Sequence, residues 1–191
     1  MPHFLNKLFA IACLAFLAGC STVGQPQQPV DLVVSLADQA LYVRRGEETV
    51  KIYAVSTSRY GAGEALDSGK TPRGSHRIAT KIGEGMPLGT VFRDRQPLPP
   101  EVQVKGTPPV TTRIMWLAGN EPHNQNTKIR YIYLHGTRED HLLGTPASAG
   151  CVRLRETDAV ELFDLVQEGT PVMIVETPYL QFSSSPILLV Q

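Results

Sequence analysis

The stretch that most constrains the fold runs over residues 131–153 and reads YIYLHGTREDHLLGTPASAGCVR. Its first four residues are aromatic, β-branched or aliphatic, a composition typical of a half-buried strand. His135 stands at the predicted end of this strand, and a loop rich in Gly, Thr and Pro leads to Gly150 and Cys151. Because a thiol nucleophile needs a base within hydrogen-bond reach, we expect the loop to double back and bring His135 to Cys151.

Short strand patterns recur along the chain and predict a mainly β fold. Besides the strand before His135, they lie at residues 31–36, 40–44, 49–56, 76–81, 113–117 and 170–176. Helical spacing of apolar residues is clear only at residues 156–168, after the cysteine. We therefore expect a β-sandwich or barrel with one clear helix.

The cysteines single out one position. Two of the three, Cys13 and Cys20, lie in a predicted export segment, so Cys151 has no partner for an internal disulfide. An unpaired thiol in an exported protein is open to oxidation, so its presence calls for an explanation. The alternative is a small buried side chain without a chemical role. Gly150 permits close approach of a substrate and Arg153 can lower the thiol pKa, which favours catalysis.

These residues resemble a known signature. H-G-T at residues 135–137 and S-x-G-C-x-R at residues 148–153 are similar to the motif of the L,D-transpeptidases, whose catalytic domain is of the YkuD type. The separation of sixteen positions (151 − 135) fits that motif, whereas Ala149 stands where the family usually has a second histidine. The resemblance extends to G-K-T-P-R-G at residues 69–74 and to residues 112–122, and it covers residues 30–178.

The resemblance implies a mainly β L,D-transpeptidase-like fold and acyl transfer between peptidoglycan stem peptides without a cofactor. The Cys151 thiolate would attack the carbonyl between the L-centre of the diamino acid at stem position three and the following D-alanine. D-Alanine would leave, and a side-chain amine of a neighbouring stem would take the acyl group from the thioester. His135 would be the base, oriented by the backbone carbonyl of Gly136.

Several neighbours are candidates for substrate contacts. The backbone N–H groups of Gly150 and Cys151 are predicted oxyanion donors, each contributing roughly 3–4 kcal/mol to the transition state. Arg153 is predicted to grip a substrate carboxylate in two-point fashion, with a hydrogen bond to the loop as the alternative. The other candidates for substrate binding are Ser148, Tyr133 and Trp116.

Other aromatic residues leave two interpretations open. Trp116, the only tryptophan, suits either core packing or a wall of the cleft. His76 either points into the cleft or lines the sheet. His123 and His141 lack the spacing of metal ligands, so no metal site is predicted.

The N-terminus is typical of an exported lipoprotein. Lys7 precedes an apolar run at residues 8–17, which is too short for an ordinary transmembrane helix. L-A-G-C at residues 17–20 resembles a bacterial lipobox, which implies a lipid on Cys20; cleavage without lipid is the alternative. Ser21 follows in place of the aspartate that retains lipoproteins at the inner membrane. We therefore expect a protein anchored at the periplasmic face of the envelope, at the outer rather than the inner membrane.

The chain divides into four predicted segments. They are a signal peptide at 1–19, the lipidated cysteine and a Gln/Pro-rich linker at 20–29, a catalytic domain at 30–178, and a tail at 179–191. Within the domain, residues 83–109 are rich in Gly and Pro and are predicted to form a lid or one wall of the cleft. Residues 187–190 of the tail either add an edge strand or fray.

Charge and composition narrow the function classes. The net charge is 18 − 18 = 0, and no basic stripe is present, which argues against a nucleic-acid partner. Three functions remain: a transpeptidase, a thiol hydrolase of the same stems, and a non-catalytic wall-binding lipoprotein. The His135/Cys151 pair argues against the third, and nothing in the sequence separates the first two.

Overall fold

The computed structural model describes residues 29–102 and 109–184. The signal peptide, Cys20, most of the linker and residues 187–190 lie outside the described residues. None of the helices in the described ranges is both long and apolar enough to span a membrane.

Ten strands and two α-helices make up the described part of the chain. The strands are β1 (Asp31–Ser35), β2 (Ala40–Arg45), β3 (Glu48–Ser56), β4 (Gly74–Ile82), β5 (Val91–Arg93), β6 (Gln96–Pro97), β7 (Val110–Gly119), β8 (Tyr133–Thr137), β9 (Val152–Arg155) and β10 (Pro171–Val175). The helices are α1 (Glu156–Leu165) and α2 (Tyr179–Ser184). The fold is therefore mainly β with one main helix after the cysteine, as predicted.

Eight of the strands close into a barrel-like sheet. Their order is β4-β10-β1-β2-β3-β9-β8-β7, and a pairing of β4 with β7 closes the ring. Two pairs are parallel, β1 with β10 and β8 with β9, and the others are antiparallel. Closure removes the free edges of these eight strands. β5 and β6 form a hairpin that extends the sheet from β7.

Helix α1 completes the main core. Its Ala159, Leu162 and Phe163 are buried together with the core-facing residues of the strands. Acidic Glu156 in its first turn suits the positive end of the helix dipole. The helix ends at Leu165, three residues before the predicted end, because the next residue is extended. Burial of Leu162 and Phe163 contributes about 1.5–3 kcal/mol for each side chain.

One prediction about the strands needs correction, and two further elements lie in segments that had no assigned strand or helix. His135 lies in the middle of β8 rather than at a strand end, because Tyr131 has a left-handed backbone (φ 56°) that delays the strand until Tyr133. Residues 179–184, at the start of the predicted tail, form α2. The β5–β6 hairpin lies inside the stretch 83–109 that was predicted to form a lid or one wall of the cleft, and residues 103–108 are not described.

Candidate active site

Strands β8 and β9 bring the predicted pair to one face of the sheet. They are parallel, with Leu134 opposite Val152 and His135 opposite Arg153. Leu134 and Val152 point into the main core. Side chains alternate along a strand, so the opposite face carries Tyr133, His135, Cys151 and Arg153. A second, smaller apolar cluster forms there around Phe92, Ile114 and Tyr133 and includes Cys151.

His135 is fixed as a neutral imidazole. Its side chain is only 4% exposed, and Nδ1 donates to the backbone carbonyl of Gly136 at 2.8 Å. A carbonyl can only accept, so Nε2 is the unprotonated nitrogen. Burial lowers the His135 pKa to about 4, and the positive Arg153 adds to this, whereas the bond to Gly136 opposes it. Gly136 has no room for a side chain, since a Cβ would lie 2.9 Å from the Thr111 carbonyl.

Cys151 is held as a protonated thiol. Its half-buried Sγ lies 3.4 Å from the backbone carbonyl of Tyr131, to which it donates, and accepts from the Tyr133 N–H at 3.4 Å. Burial raises the Cys151 pKa to about 11, against the opposing effects of the Tyr133 N–H, Arg153 and Arg130. With His135 neutral as well, the pair has no net charge near pH 7, and the base is ready to accept a proton.

The turn before Cys151 is fixed by side-chain hydrogen bonds. The Ser148 hydroxyl donates to the Cys151 carbonyl at 2.6 Å and accepts from the Gly150 N–H at 3.2 Å. Gly150 has φ 123°, a conformation that L side chains rarely adopt. Ser148 is buried, so it positions the nucleophile, and the Gly150 N–H predicted for the oxyanion hole is already engaged.

Thr71 supports the same turn and was missed as a functional residue in the sequence. Its buried hydroxyl donates to the Gly150 carbonyl at 3.0 Å and accepts from the Ser58 N–H at 3.0 Å. The signal was present, because Thr71 belongs to the T-P-x-G segment that resembled the family. Only the hydrogen bond to Gly150, seventy-nine positions away along the chain, shows that Thr71 supports this turn.

Arg153 is bound inside the protein. Its guanidinium donates through Nη1 to Oε2 of Glu139 at 2.9 Å, and the residue is only 6% exposed. Glu139 lies on the loop between β8 and β9, so the contact is of the loop-bonding kind that the sequence left as the alternative. The predicted grip on a substrate carboxylate stays a prediction.

Aromatic side chains surround the cysteine on the β7 side. Trp116 stacks on Tyr131 and meets Tyr133 edge-on, with ring centres 5.8 and 5.7 Å apart. Arg95, from the turn of the β5–β6 hairpin, lies 5.0 Å from the ring centres of both Trp116 and Tyr131. Its Nη1 also donates to the Tyr133 hydroxyl at 3.4 Å. The hairpin thus reaches over the aromatic wall beside the nucleophile.

The other histidines lie elsewhere. His76 is fully buried, with Nδ1 at 2.9 Å from the Gly74 carbonyl and Nε2 at 3.1 Å from the Thr127 hydroxyl, so it lines the sheet and not the cleft. His123 lies 3.9 Å from Glu121. Within residues 29–102 and 109–184, no three His, Cys, Asp or Glu side chains are grouped to hold a metal ion.

Two cavities open on either side of Tyr131. One, of about 360 Å³, is lined by Arg95, Tyr133 and Ile114 on the hairpin side. The other, of about 340 Å³, is lined by Arg130 and Ala149. Tyr131 lines both and accepts a hydrogen bond from the thiol, so a residue in contact with Cys151 separates two spaces large enough for peptide groups.

Comparison with known proteins agrees with this arrangement. The model of the YkuD family, the L,D-transpeptidase catalytic domain, matches residues 29–174. The chain belongs to the L,D-transpeptidase family. It is 45% identical over 53 residues to the probable L,D-transpeptidase YcfS of Escherichia coli, and 42% identical over 57 residues to the probable L,D-transpeptidase ErfK/SrfK of Salmonella typhimurium. The first match covers 28% of this chain and 16% of that relative; the second covers 30% and 18%.

Solved L,D-transpeptidases share the fold of this member of the family. The structure of the L,D-transpeptidase of Xylanimonas cellulosilytica matches with a TM-score of 0.52 and 17% identity, over 78% of this chain and 62% of that one. LD transpeptidase LdtMt1 in complex with imipenem matches with a TM-score of 0.51 and 18% identity, over 78% and 59%. The chain thus matches less than two thirds of the length of either structure.

Proposed function

We propose that this protein is a cysteine acyltransferase that links peptidoglycan stem peptides through a thioester on Cys151. The observation that carries the proposal is the fixed neutral His135, whose Nδ1–H is bound to Gly136, on the same sheet face as a protonated Cys151 thiol. A nucleophile, a base and a group that orients the base are the parts that acyl transfer requires. Family membership supports the same reaction.

The proposed first half-reaction releases D-alanine. Nε2 of His135 takes the thiol proton as Sγ of Cys151 forms a bond to the carbonyl carbon of the diamino acid. The tetrahedral intermediate then breaks its C–N bond, and the imidazolium returns the proton to the departing amine. The positive charge that forms on His135 is accommodated by the Nδ1–H bond to Gly136.

The second half-reaction restores the thiol. A side-chain amine of a neighbouring stem attacks the thioester carbonyl and gives its proton to His135, and the C–S bond breaks with return of the proton to sulfur. The Cys151 N–H is the better oxyanion donor of the two that were predicted, because the Gly150 N–H already donates to Ser148.

Incubation with purified muropeptides tests the proposal. Cross-linked dimers support transfer, trimmed monomers would mean hydrolysis with water as acceptor, and no product would favour a wall-binding role. Cys151→Ala should abolish both products and the mass adduct that a carbapenem forms. His135→Ala should lower the acylation rate by roughly 10²–10⁴-fold, the loss expected for a general base. An adduct on the Cys151→Ala protein would contradict the assignment.

We also propose that a lipid on Cys20 anchors the protein at the periplasmic face of the outer membrane. The proposal rests on the lipobox-like residues 17–20 and on Ser21. Radiolabelled palmitate should enter the wild-type protein in cells and not the Cys20→Ser variant. The Cys13→Ser variant is the matched control and should still be labelled. An unlabelled wild-type protein would disprove lipidation.

A further inference from the structure

The cavity that contains Arg130 shares its lining with residues that adjoin Cys151. Ala149, two residues before Cys151, lines it and is exposed to it. Tyr131, whose carbonyl accepts the thiol hydrogen bond, lines it as well. A group that occupies this cavity is therefore next to the carbonyl under attack.

The guanidinium of Arg130 is fixed in place by neutral groups. Nη1 donates to the Gly63 carbonyl at 3.0 Å, and Nη2 donates to the Ser68 hydroxyl at 3.3 Å and to the Lys70 carbonyl. These bonds use three of the five N–H groups, and none of the three acceptors is a carboxylate. The side chain is already ordered, so little of its conformational entropy is lost when a ligand binds.

Arg130 and Arg153 differ in whether the charge of the guanidinium forms an ion pair. Arg153 is paired with Glu139, whereas no ion pair within the described ranges includes Arg130. Asp67 also lines the cavity, without forming an ion pair to the guanidinium. The Arg130 charge also acts on Cys151. Glu64 also acts on the Arg130 charge, but its carboxylate is bound by Arg73. A partly buried cation with no carboxylate in hydrogen-bond contact, beside a cavity, fits an anionic ligand group.

We propose that Arg130 binds the terminal carboxylate of the D-amino acid that leaves the acyl donor. The inference rests on the proposed function and adds a specificity-determining residue to it. Ala149, which lines the cavity with only a methyl group, keeps the approach to the guanidinium open. The carboxylate would hold the leaving residue so that its peptide carbonyl faces Sγ of Cys151.

Alkylation of Cys151 tests the site without any peptide substrate. Iodoacetate and iodoacetamide have nearly the same shape, and only the first carries a carboxylate. Both rates are measured at pH 9 on the full chain, with mass spectrometry of the Cys151 peptide to exclude the other cysteines. Their ratio cancels the thiolate fraction and isolates the attraction of the carboxylate.

The Arg130→Gln variant should lower the iodoacetate-to-iodoacetamide ratio by roughly tenfold, the lower end expected for loss of a charged hydrogen bond. Arg77→Gln removes an equal charge from an exposed side chain that bonds Asn120, and should leave the ratio unchanged. A change of less than twofold in Arg130→Gln, or an equal change in both variants, would overturn the proposal.

Two further variants cover the case in which Arg130→Gln does not fold. Arg130→Lys keeps the charge but not the two-point geometry. It should retain most of the wild-type iodoacetate-to-iodoacetamide ratio. Ala149→Leu fills the cavity without altering any charge or any bond of Arg130. It should lower the ratio, because the leucine blocks the approach of the carboxylate to Arg130 while its bulk slows both reagents alike. An unchanged ratio in Ala149→Leu would contradict a carboxylate site in this cavity.

A peptide pair separates this inference from the proposed function. Donor peptides that end in a free carboxylate or in an amide are compared by kcat/KM. The wild type should prefer the carboxylate, and Arg130→Gln should lose that preference. Turnover of neither peptide by the wild type would defeat the proposed function, while the alkylation ratio would still report on the site. A preference that persists in Arg130→Gln would defeat the inference alone.

Discussion

At the residue scale, burial keeps the Cys151 thiol and the His135 imidazole uncharged near neutral pH. Burial raises the Cys151 pKa to about 11 and lowers the His135 pKa to about 4. Both shifts have the same physical cause, since each charged form loses hydration on the packed face of β8 and β9. In the proposed reaction, proton transfer from sulfur to nitrogen would therefore be coupled to the attack and would not precede it.

The pH dependence of Cys151 alkylation follows from this protonation state. With a thiol pKa of about 11, the rate with iodoacetamide should rise about tenfold per pH unit from pH 6 to pH 10, because only the thiolate reacts. The same cysteine in urea should level off above its ordinary pKa of roughly 8.5. A plateau at neutral pH in the folded protein would instead reveal a thiolate–imidazolium pair.

At the element scale, the segment before β4 holds the turn before β9. Thr71 lies just ahead of β4 and bonds the Gly150 carbonyl, while Ser148 bonds the residues on each side of it. Two segments far apart in sequence thereby fix the backbone of the nucleophile. Precise placement of this kind would support the proposed acyl transfer, because misplacement by about 1 Å can cost 10²-fold in rate.

Thr71→Val tests this support with little change of shape. It leaves the Gly150 carbonyl and the Ser58 N–H unpaired in a buried position, so the free energy of unfolding should fall by about 2–3 kcal/mol. The acylation rate of Cys151 should fall as well. Thr90→Val, at an exposed hydroxyl bonded to Pro87, is the matched control and should cost about 0.5 kcal/mol or less. If urea unfolding gave the same loss of stability for Thr71→Val and Thr90→Val, the support that Thr71 gives to the turn would be contradicted.

At the scale of the whole molecule, buried histidines link stability to pH. The His135 pKa is about 4 when folded and roughly 6.5 when unfolded, and burial also lowers the pKa of His76. Between these values the unfolded chain binds a proton that the folded chain does not. Stability is therefore fully present above about pH 6.5 and is lost as the pH falls towards 4.

His135 alone should account for a loss of about 3 kcal/mol in the free energy of unfolding between pH 6.5 and pH 4. In His135→Asn, whose amide N–H can still donate to the Gly136 carbonyl, the loss should be smaller by about that amount. His141→Gln, at an exposed loop residue, is the control and should keep the wild-type profile. If the free energy of unfolding fell equally with pH in the wild type and in His135→Asn, the folded-state pKa of about 4 for His135 would be contradicted.

The sequence by itself determined the fold class and the main helix, and it predicted His135 and Cys151 as the two reactive residues. Strand patterns need only local alternation, and the helix needs only its own apolar spacing, so both could be read from neighbouring residues. His135 and Cys151 carry their chemistry in their side chains, and the signature around them is local as well. The signal peptide and lipidation of Cys20 remain predictions from the sequence.

Tertiary structure decided what those residues touch. The left-handed backbone at Tyr131 shifted the strand and placed His135 inside β8, and the fold took Arg153 into a pair with Glu139. It also joined Thr71 to Gly150 and brought Arg130 to the cavity beside Cys151. Each of these contacts depends on closure of the sheet between distant segments, and no local pattern of residues encodes which distant partner a polar group will meet.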